Sequence, residues 1–223
     1  GDNASIMIKA LAGGGGRGTR IVTKLEELEE AYLRCQSEAK NAFGNDELYV
    51  EELIQHARHI EIQIIGDREG NILAIGDREC SVQRRHQKII EIAPSFDLPE
   101  KTRLSIQEAA EKLAKSVGYY SLGTFEFLVD SKSEGQEKFA FIEANARLQV
   151  EHTVTEEVTG VDLVQSQIEI ANGKSLKALE LNDTPEAIGY AIQARINMET
   201  IEPDGTVKPV SYTHLTLPTI YSV

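Results

Sequence analysis

Cysteine and tryptophan are nearly missing from this chain, and so are long apolar runs. Of its 223 residues two are cysteine, Cys35 and Cys80, and none is tryptophan. Two distant cysteines fit neither a disulfide framework nor the spacing of a metal-binding cysteine motif. We therefore expect a reducing compartment, either the cytoplasm or the mitochondrial matrix. No stretch approaches the roughly 20 apolar residues that a membrane helix needs, which argues against a membrane-spanning protein.

Positive charge is also in short supply. The chain carries 23 lysines and arginines against 36 aspartates and glutamates, for a formal net charge of −13. This surplus of negative charge repels a phosphate backbone and argues against nucleic acid as the main partner. An acidic protein that binds an anion must instead concentrate its cations in one place.

The composition is otherwise ordinary for a globular protein, with 41% hydrophobic and 26% charged residues. Periodicity predicts an α+β fold, mostly antiparallel hairpins with helices laid against them. The predicted helices cover residues 24–43, 101–117 and 161–171. The predicted strands cover residues 5–10, 20–23, 48–53, 59–65, 71–75, 121–130, 138–145 and 187–197.

The most informative stretch is IEANARLQVEH, residues 142–152. Polar residues occupy every odd position from Glu143 to Glu151, and apolar residues occupy the even positions between them. In an extended chain this alternation places all the polar side chains on one face. Two carboxylates, two amides and a guanidinium in a row can hold a metal, bind an anion or move a proton. By periodicity alone, the pattern also fits a half-buried strand with a solvated outer face.

A glycine-rich loop joins the first two predicted strands. Gly13 to Gly16 are followed by Arg17 and Gly18, and Lys9 precedes the loop. Backbone N–H groups of such a loop can approach an anion with no side chain in the way. The loop lacks the Gly-Lys-Ser/Thr of a Walker motif and does not open a helix as a dinucleotide fingerprint does. It is either a flexible surface turn or a lid that closes over bound ATP.

Two glutamates are predicted to face each other across neighbouring strands. An antiparallel register that joins Glu126 to Glu143 also joins Leu128 to Phe141. Like charges directly opposite each other are unfavourable, and a divalent cation between them would remove the conflict. With Asn145 on the same face, these hard oxygen ligands favour Mg²⁺ over Zn²⁺. The alternative is two glutamates on an exposed strand face.

Two further segments carry positive charge. Residues 80–88, CSVQRRHQK, form the most basic cluster of the chain. In an acidic protein such a positive island fits a polyphosphate or bicarbonate site, and taken alone it also fits a solvated basic loop. Residues 191–197, AIQARIN, repeat the strand alternation. Their Arg195 is either aimed at the same site or a simple outer-face arginine.

Six segments taken together resemble the biotin carboxylase family of the ATP-grasp superfamily. They are KALAGGGGRGTRIV, YVEELIQHARHIEIQI, DRECSVQRRHQKIIEIAP, GTFEFL, FIEANARLQVEHTVTEEVTGVDLV and AIQARIN, in the family's order from about Ile6 to Asn197. QRRHQK together with RLQVEH is far more specific than a glycine loop. The resemblance implies an ATP-grasp fold of antiparallel sheets with packed helices and a glycine-rich lid. It also implies ATP- and bicarbonate-dependent carboxylation of biotin through carboxyphosphate, with Mg²⁺ or Mn²⁺ as the metal.

The resemblance further implies roles for individual residues. The family's ATP-binding positions correspond here to Lys9, Gly13, Gly14, Gly15, Gly16, Arg17, Gly18, Glu51, Leu53, Ile54, His59, Gln83 and His86. Its metal ligands correspond to Glu126, Glu143 and Asn145. Its bicarbonate cradle corresponds to Lys88, Arg147, Gln149 and the Val150 amide, its general base to Glu151, and the residue that steadies the biotin enolate to Arg195.

On this resemblance we expect a fragment of a longer enzyme. Residues 1–53 correspond to part of the lid subdomain, and residues 54–210 to the catalytic core and the start of the C-terminal subdomain. Residues 211–223 do not continue the family pattern, and we interpret them as a non-native tail. The implied partners are a biotin carboxyl carrier protein and a carboxyltransferase, in a homo-oligomeric parent enzyme. The alternatives are another ATP-grasp ligase, such as a carbamoyl-phosphate synthetase half, or an ATP-binding fragment without turnover.

Overall fold

The fold is a layered arrangement of antiparallel sheets and helices. A computed structural model describes residues 5–13, 18–54, 56–84, 87–130, 138–196, 199–204 and 206–209. Within these ranges the strands form a three-stranded, a six-stranded and a two-stranded sheet, and every strand pairing is antiparallel. The predicted α+β class and its hairpin-rich character are therefore confirmed.

The elements follow one another with short connections. The strands are β1 (Ile6–Ala10), β2 (Thr19–Val22), β3 (Leu48–Glu52), β4 (Ala57–Gly66), β5 (Ile72–Arg84), β6 (Gln87–Ala93), β7 (Ser121–Asp130), β8 (Phe139–Asn145), β9 (Ala191–Ala194), β10 (Glu199–Ile201) and β11 (Val207–Pro209). The helices are α1 (Leu28–Phe43), α2 (Glu100–Ser116), α3 (His152–Thr159) and α4 (Leu163–Ala171), with 3₁₀ turns at Leu25–Glu27 and Lys177–Leu179.

The small sheet has the order β2-β1-β3 and packs against α1. Its core consists of Ile8, Val22 and Cys35, all buried. The Cys35 thiol donates a hydrogen bond to the carbonyl of Gly18, at 2.9 Å. Gly18 has a φ of +67°, and a Cβ there would lie 2.8 Å from Ala10. Only glycine fits this backbone conformation and this close approach, so Gly18 has a structural role at the end of the loop.

The large sheet has the order β8-β7-β4-β5-β6-β9, and its two faces differ in character. On one face, isoleucines of β4 and phenylalanines of β7 pack against α2 in one hydrophobic cluster. Alternate residues of β4 point to the opposite face. These residues, Glu61 and Gln63, are polar and fully buried. The large sheet therefore has an apolar core on the α2 side and a buried polar surface on the other side.

The remaining helices cover parts of the polar side of the large sheet. Leu163 and Ile170 of α4 pack with Ile65, Leu73 and Ile75 of the central strands. Val154 and Val158 of α3 pack on Ala93 at the end of β6. The buried polar residues around Glu61, on the same side of the sheet, form part of the site described below.

Several predicted boundaries are wrong, for local reasons. The first helix begins at Leu28, because a 3₁₀ turn at Leu25–Glu27 precedes it. The helix predicted from residue 161 begins at Leu163, because the side chain of Asp162 caps it by accepting the N–H of Gln165, at 2.7 Å. The strand predicted over 187–197 is regular only at Ala191–Ala194.

Other elements were not predicted from the sequence, or were predicted only in part. Strand β5 runs on to Arg84, well beyond the predicted end at residue 75, and β6, α3, β10 and β11 were not predicted. Strand β5 covers residues 80–84 of the basic segment and β6 covers residues 87 and 88, with Arg84 paired to Gln87. The strands here were not predicted because the segment is rich in charged residues. A hydrophobicity pattern does not detect charged groups that are buried in ion pairs.

The apolar cluster under α2 yields a stability prediction. Ile106 is fully buried there, whereas Leu104 on the same helix is 49% exposed. Ile106→Ala should lower the free energy of unfolding by about 2–5 kcal/mol, because it removes buried methyl groups and leaves a cavity. Leu104→Ala should change it by about 0.5 kcal/mol or less. Urea unfolding of the chain, followed by circular dichroism, would measure both; equal losses would contradict the assigned core.

Candidate active site

A cavity of about 740 Å³ lies between the small sheet and the polar face of the large sheet. It gathers side chains that are far apart in the sequence. The predicted site residues that line it are Lys9, Gly13, His59, Gln83, Lys88, Glu126, Glu143, Asn145, Arg147, Gln149, Val150, Glu151 and Arg195. The structure thus brings predicted nucleotide, metal and catalytic positions to one place.

Other predicted positions lie apart from the cavity wall. Glu51 forms an ion pair with Lys9 on the neighbouring strand. The backbone N–H of Leu53 donates to the carbonyl of Ser5, at 2.9 Å. Gly18 and Ile54 are not among the lining residues. Outside the described residues lie Gly14, Gly15, Gly16, Arg17 and His86.

Lys88 lies at the centre of the polar face. Its Nζ donates to Glu151 at 2.8 Å and to Glu126 at 3.2 Å, and it also contacts Glu61. Burial by itself lowers the pKa of Lys88, but the charges of Glu61 and Glu126 outweigh it and hold that pKa above its usual range. Lys88 is therefore a fixed cation shared by three carboxylates.

Glu151 is almost fully buried and lies immediately before α3. One carboxylate oxygen accepts from Lys88, and the other accepts from Nη2 of Arg195 at 2.8 Å. Burial raises the pKa of Glu151, but the hydrogen bond and charge of Lys88 more than offset this and leave the pKa below its ordinary value. Glu151 is thus an ionised carboxylate that can accept a proton.

The predicted pairing of Glu126 with Glu143 is confirmed across β7 and β8. The pairing of Leu128 with Phe141 is wrong: Phe141 pairs with Phe127, because the register shifts between residues 126 and 127. Such a bulge sets two residues of one strand against one of its partner. The carboxylate pair therefore stands where it was predicted, while the aromatic residues beyond it are displaced by one position.

Asn145 relieves the repulsion between these two carboxylates. Its Nδ2 donates to Glu126 at 2.8 Å and to Glu143 at 3.0 Å. Glu126 also accepts from Nε2 of Gln149, at 3.0 Å. The carboxylate oxygens of Glu126 and Glu143 are hard donors of the kind that Mg²⁺ prefers, and the amide oxygen of Asn145, which accepts from Arg147 at 3.3 Å, would join them after rotation of that side chain. The residues present therefore fit the predicted metal.

His59 contacts the same carboxylate from β4. Gln83 Nε2 lies 2.9 Å from Nδ1 of His59, so Nδ1 accepts and the ring proton lies on Nε2. Nε2 lies 2.7 Å from Glu126. Burial raises the pKa of Glu126, but the His59 hydrogen bond and the Lys88 charge bring it down to about 2. Glu126 stays ionised across the whole physiological range.

The predicted end of the strand at Asn145 is confirmed, so the alternation of residues 142–152 does not continue as one strand face beyond it. Strand β8 ends there, and the N–H of Arg147 donates to the carbonyl of Asn145, at 2.8 Å, so the chain turns back. Residues 146–151 then lead into α3. As a result Gln149 and Glu151 are buried in the site, while Arg147 and Val150 are exposed at its rim. The turn brings Glu151 next to Lys88, which a continued strand would not do.

The sequence patterns missed a fully buried arginine, Arg78 on β5. Its guanidinium donates to Glu61 at 3.2 Å, Gln63 at 2.8 Å, Thr124 at 3.1 Å, Thr155 at 3.0 Å and Gln149 at 3.5 Å. Five acceptors from four segments of the chain converge on this one side chain. The alternation in IEIQI, residues 60–64, could have flagged Glu61 and Gln63 as a polar row. Nothing in the sequence around Arg78 distinguishes it from a surface arginine.

A second missed group is Glu91 on β6, which is fully buried. Its Oε1 accepts from Nε of Arg195, at 2.6 Å. Burial raises the pKa of Glu91, and the charge of Arg195 opposes that rise. Arg195, predicted from the AIQARIN motif, therefore lies between Glu91 and Glu151.

Comparisons with known proteins found a matching family and several similar sequences. Residues 4–179 match the family described as carbamoyl-phosphate synthase L chain, ATP binding domain. Pyruvate carboxylase 1 of Caenorhabditis elegans is 57% identical over 195 residues, which are 87% of this chain and 16% of that protein. Pyruvate carboxylase of Bacillus subtilis (strain 168) is 54% identical over 204 residues, 89% of this chain and 17% of that protein.

Solved structures of similar sequence share the fold. The biotin carboxylase–β,γ-ATP complex from Campylobacter jejuni has a TM-score of 0.80 and 47% identity, covering 89% of this chain and 43% of that one. The biotin carboxylase domain of Hydrogenobacter thermophilus 2-oxoglutarate carboxylase, solved with MgADP, ADP and bicarbonate, has a TM-score of 0.79 and 45% identity, covering 89% and 42%. The chain thus spans about a sixth of the curated relatives it matches. Within the described residues, no helix combines the length and apolarity needed to cross a membrane.

The low pKa of Glu126 predicts a pH-dependent contribution to stability. Its ordinary value is 4.5 and its folded value about 2. A carboxyl group whose pKa is lower in the folded than in the unfolded state stabilises the fold at pH values above the unfolded pKa. This stabilisation is lost as the pH falls from about 4.5 to 2. We therefore expect the unfolding free energy, measured in the presence of EDTA, to fall less between pH 6 and pH 2.5 for Glu126→Gln than for the wild type. The difference should be on the order of 3 kcal/mol, and an exposed control, Glu108→Gln, should behave as the wild type.

The burial of Arg78 predicts a large mutational effect. Arg78→Met should cost about 3–5 kcal/mol of unfolding free energy, because it leaves Glu61 with less compensation in a buried position. Arg34, which is exposed and pairs with Glu30 one helical turn away, is the matched control. Arg34→Met should cost about 0.5 kcal/mol or less. Thermal unfolding of both variants would test this, and a stable Arg78→Met protein would contradict the importance of the buried network.

Proposed function

Since this chain belongs to the carbamoyl-phosphate synthase L chain, ATP binding domain family, and is of the biotin carboxylase type within the ATP-grasp fold, we propose that the natural protein carboxylates biotin. The reaction uses ATP and bicarbonate and passes through carboxyphosphate. The observation that carries the proposal is the environment of Glu151, an ionised carboxylate held between Lys88 and Arg195 in a cavity with a set of metal-binding oxygens.

ATP binds, in this proposal, between the two sheets. Lys9 and the loop from Gly13 to Gly18 receive the phosphates, and the hinge after β3 receives the adenine. The position of Lys9 and Gly13 on the cavity wall supports this assignment. Lys9 must exchange its partner Glu51 for a phosphate oxygen, and this exchange keeps the lysine paired both before and after binding. His59 and Gln83 line the cavity from the large sheet and are assigned to the ribose side.

Glu126 and Glu143, with the oxygen of Asn145, would hold Mg²⁺ or Mn²⁺. When bound, the metal neutralises charge that develops on the phosphates during transfer of the γ-phosphoryl group. The amide of Asn145 now donates to both carboxylates, so its oxygen is turned away from them. Rotation of this one side chain would present its oxygen beside the two carboxylates.

The bicarbonate pocket is formed by Lys88, Arg147, Gln149 and the Val150 amide. The permanent charge of Lys88 attracts the anion, and the buried amide of Gln149 adds a directional donor. Glu151 accepts the proton of bicarbonate, which makes the anion a stronger nucleophile toward the γ-phosphoryl group. Closure of the glycine-rich lid excludes water and protects the carboxyphosphate from hydrolysis.

Carboxyphosphate then breaks into CO₂ and phosphate; the phosphate takes the proton from N1 of biotin, and that nitrogen forms its new bond to the carbon of CO₂. Arg195 stabilises the negative charge that develops on the ureido oxygen, because a guanidinium hydrogen bond to an oxyanion is strong in a partly buried site. Glu151 lies 2.8 Å from Arg195. The proton acceptor and the cation for the second substrate are therefore already neighbours.

The resemblance to biotin-dependent relatives also extends to partners. A biotin carboxyl carrier protein supplies the biotin, and a carboxyltransferase receives the carboxyl group. The parent enzyme is expected to be a homo-oligomer, in the cytoplasm or, as for the human relative, in the mitochondrion. A carbamoyl-phosphate synthetase-like activity has less support, since the curated relatives are pyruvate carboxylases.

Phosphate release is the direct test of the proposal. In the natural protein that contains this sequence, release from Mg·ATP should depend on bicarbonate and should rise when free biotin is added. Glu151→Gln should lower the bicarbonate-dependent rate by about 10²-fold or more, because general-base catalysis typically contributes this much. Glu157→Gln changes an exposed glutamate on α3 and should have no effect. Release that is indifferent to both biotin and Glu151 would contradict the proposed function.

A further inference from the structure

Glu91 is a buried carboxylate to which neither the sequence motifs nor the reaction described above assigns a role. It lies on β6, three residues after Lys88, and its exposed fraction is 0%. Its Oε1 accepts from Nε of Arg195, at 2.6 Å. Its Oε2 is buried and has no hydrogen-bond partner among the described residues. Among the described residues, Glu91 therefore makes one side-chain hydrogen bond, and its partner is Arg195.

This arrangement is a poor way to stabilise a fold. A buried carboxylate needs hydrogen bonds at both oxygens to offset the loss of hydration, and Glu91 has one such bond. Ala93, two residues along β6 and on the same face as Glu91, is buried in an apolar cluster, so this face accommodates apolar side chains. An apolar residue at position 91 would avoid the desolvation cost altogether. The geometry therefore points to a role for the carboxylate in holding Arg195.

Glu91 restrains the orientation of Arg195. The backbone N–H of Arg195 donates to the carbonyl of Ile89, at 2.8 Å, which fixes the main chain. The bond from Nε to Glu91 fixes the inner edge of the planar guanidinium, and with it the plane of the whole group. Nη2 then points at Glu151, at 2.8 Å. The outer nitrogens are presented to the cavity in one defined plane.

We propose that Glu91 is a positioning residue for biotin carboxylation: it holds Arg195 through Nε, so that the outer nitrogens are directed at Glu151 and at the ureido oxygen of biotin. This inference rests on the proposed function and adds to it a residue that does not touch the substrate. Without Glu91, the guanidinium can rotate and form a two-bond pair with Glu151 alone, a geometry that arginine and carboxylate favour. Arg195 would then be withdrawn from biotin.

The kinetic consequence is specific to the second substrate. Glu91→Ala should raise the KM for biotin and lower the biotin-stimulated rate by about tenfold or more, as misplacement of a group by about an ångström can do. Phosphate release that depends on bicarbonate alone should stay within about twofold, because Lys88 still pairs with Glu151. Glu91→Gln keeps an acceptor oxygen for Nε and should retain most of the stimulation.

A double-mutant cycle in the natural protein separates positioning from general structural support. Free biotin is the probe, and the variants are Glu91→Ala, Arg195→Ala and the double variant, with exposed Glu108→Ala as control. If Glu91 acts through Arg195, the double variant should have the same biotin-stimulated rate as Arg195→Ala. Melting temperatures of all variants show whether the fold is intact, and the near-isosteric Glu91→Gln provides the comparison if Glu91→Ala unfolds.

The outcomes distinguish this role from the proposed function. Wild-type protein with no biotin stimulation overturns the proposed function and this role with it. If biotin stimulates the wild type, and the double variant loses the sum of what Glu91→Ala and Arg195→Ala each lose, the positioning role alone is overturned. The positioning role is also overturned if Glu91→Ala lowers biotin-dependent and biotin-independent phosphate release equally and Glu91→Gln lowers both rates as much. The positioning role is supported if Glu91→Ala lowers only the biotin-dependent rate, has no effect in the Arg195→Ala background, and is matched by little or no loss in Glu91→Gln.

Discussion

Three carboxylates stand side by side across the large sheet, and the structure around them depends on their compensation. Glu61 of β4 pairs in register with Glu126 of β7, and Glu126 pairs with Glu143 of β8. Like charges in such positions repel each other, and burial strengthens the repulsion. Arg78 is the cross-strand partner of Glu61 on its other side, and Lys88 lies against both Glu61 and Glu126. These two cations compensate the two buried carboxylates of the row, Glu61 and Glu126.

The compensation extends into a chain of charges that alternate in sign. From Lys88 it continues through Glu151 to Arg195 and ends at Glu91, while at the other end Glu61 joins Lys88 to Arg78. Each link is buried or partly buried, so loss of one member leaves its neighbour uncompensated. The groups are consequently held in place before any substrate arrives, and such preorganised dipoles and charges are what lower the barrier of a reaction with developing charge.

Sequence patterns could predict the parts of this site that follow a repeating geometry. The alternation within β7 and β8 was enough to pair Glu126 with Glu143, because opposite faces of a strand follow a period of two. Two features broke that regularity: the bulge after Glu126 and the turn at Asn145. Arg78 and Glu91 could not be recognised at all. Their role comes from partners distant in the chain, and a local pattern carries no information on such contacts.

Lys9, Lys88 and Arg195 are already engaged by carboxylates, so substrate binding at these cations must be an exchange of partners. An anion that approaches Lys88 displaces part of its contact with Glu151 and brings a second negative charge next to that carboxylate. Chloride or nitrate offers nothing to offset this repulsion. Bicarbonate carries a hydroxyl group that can donate to Glu151, so the carboxylate stays hydrogen-bonded while Lys88 pairs with the anion. The same hydrogen bond is the path along which the proton leaves bicarbonate. Under the proposed function, selection of the anion and its activation therefore arise from one contact.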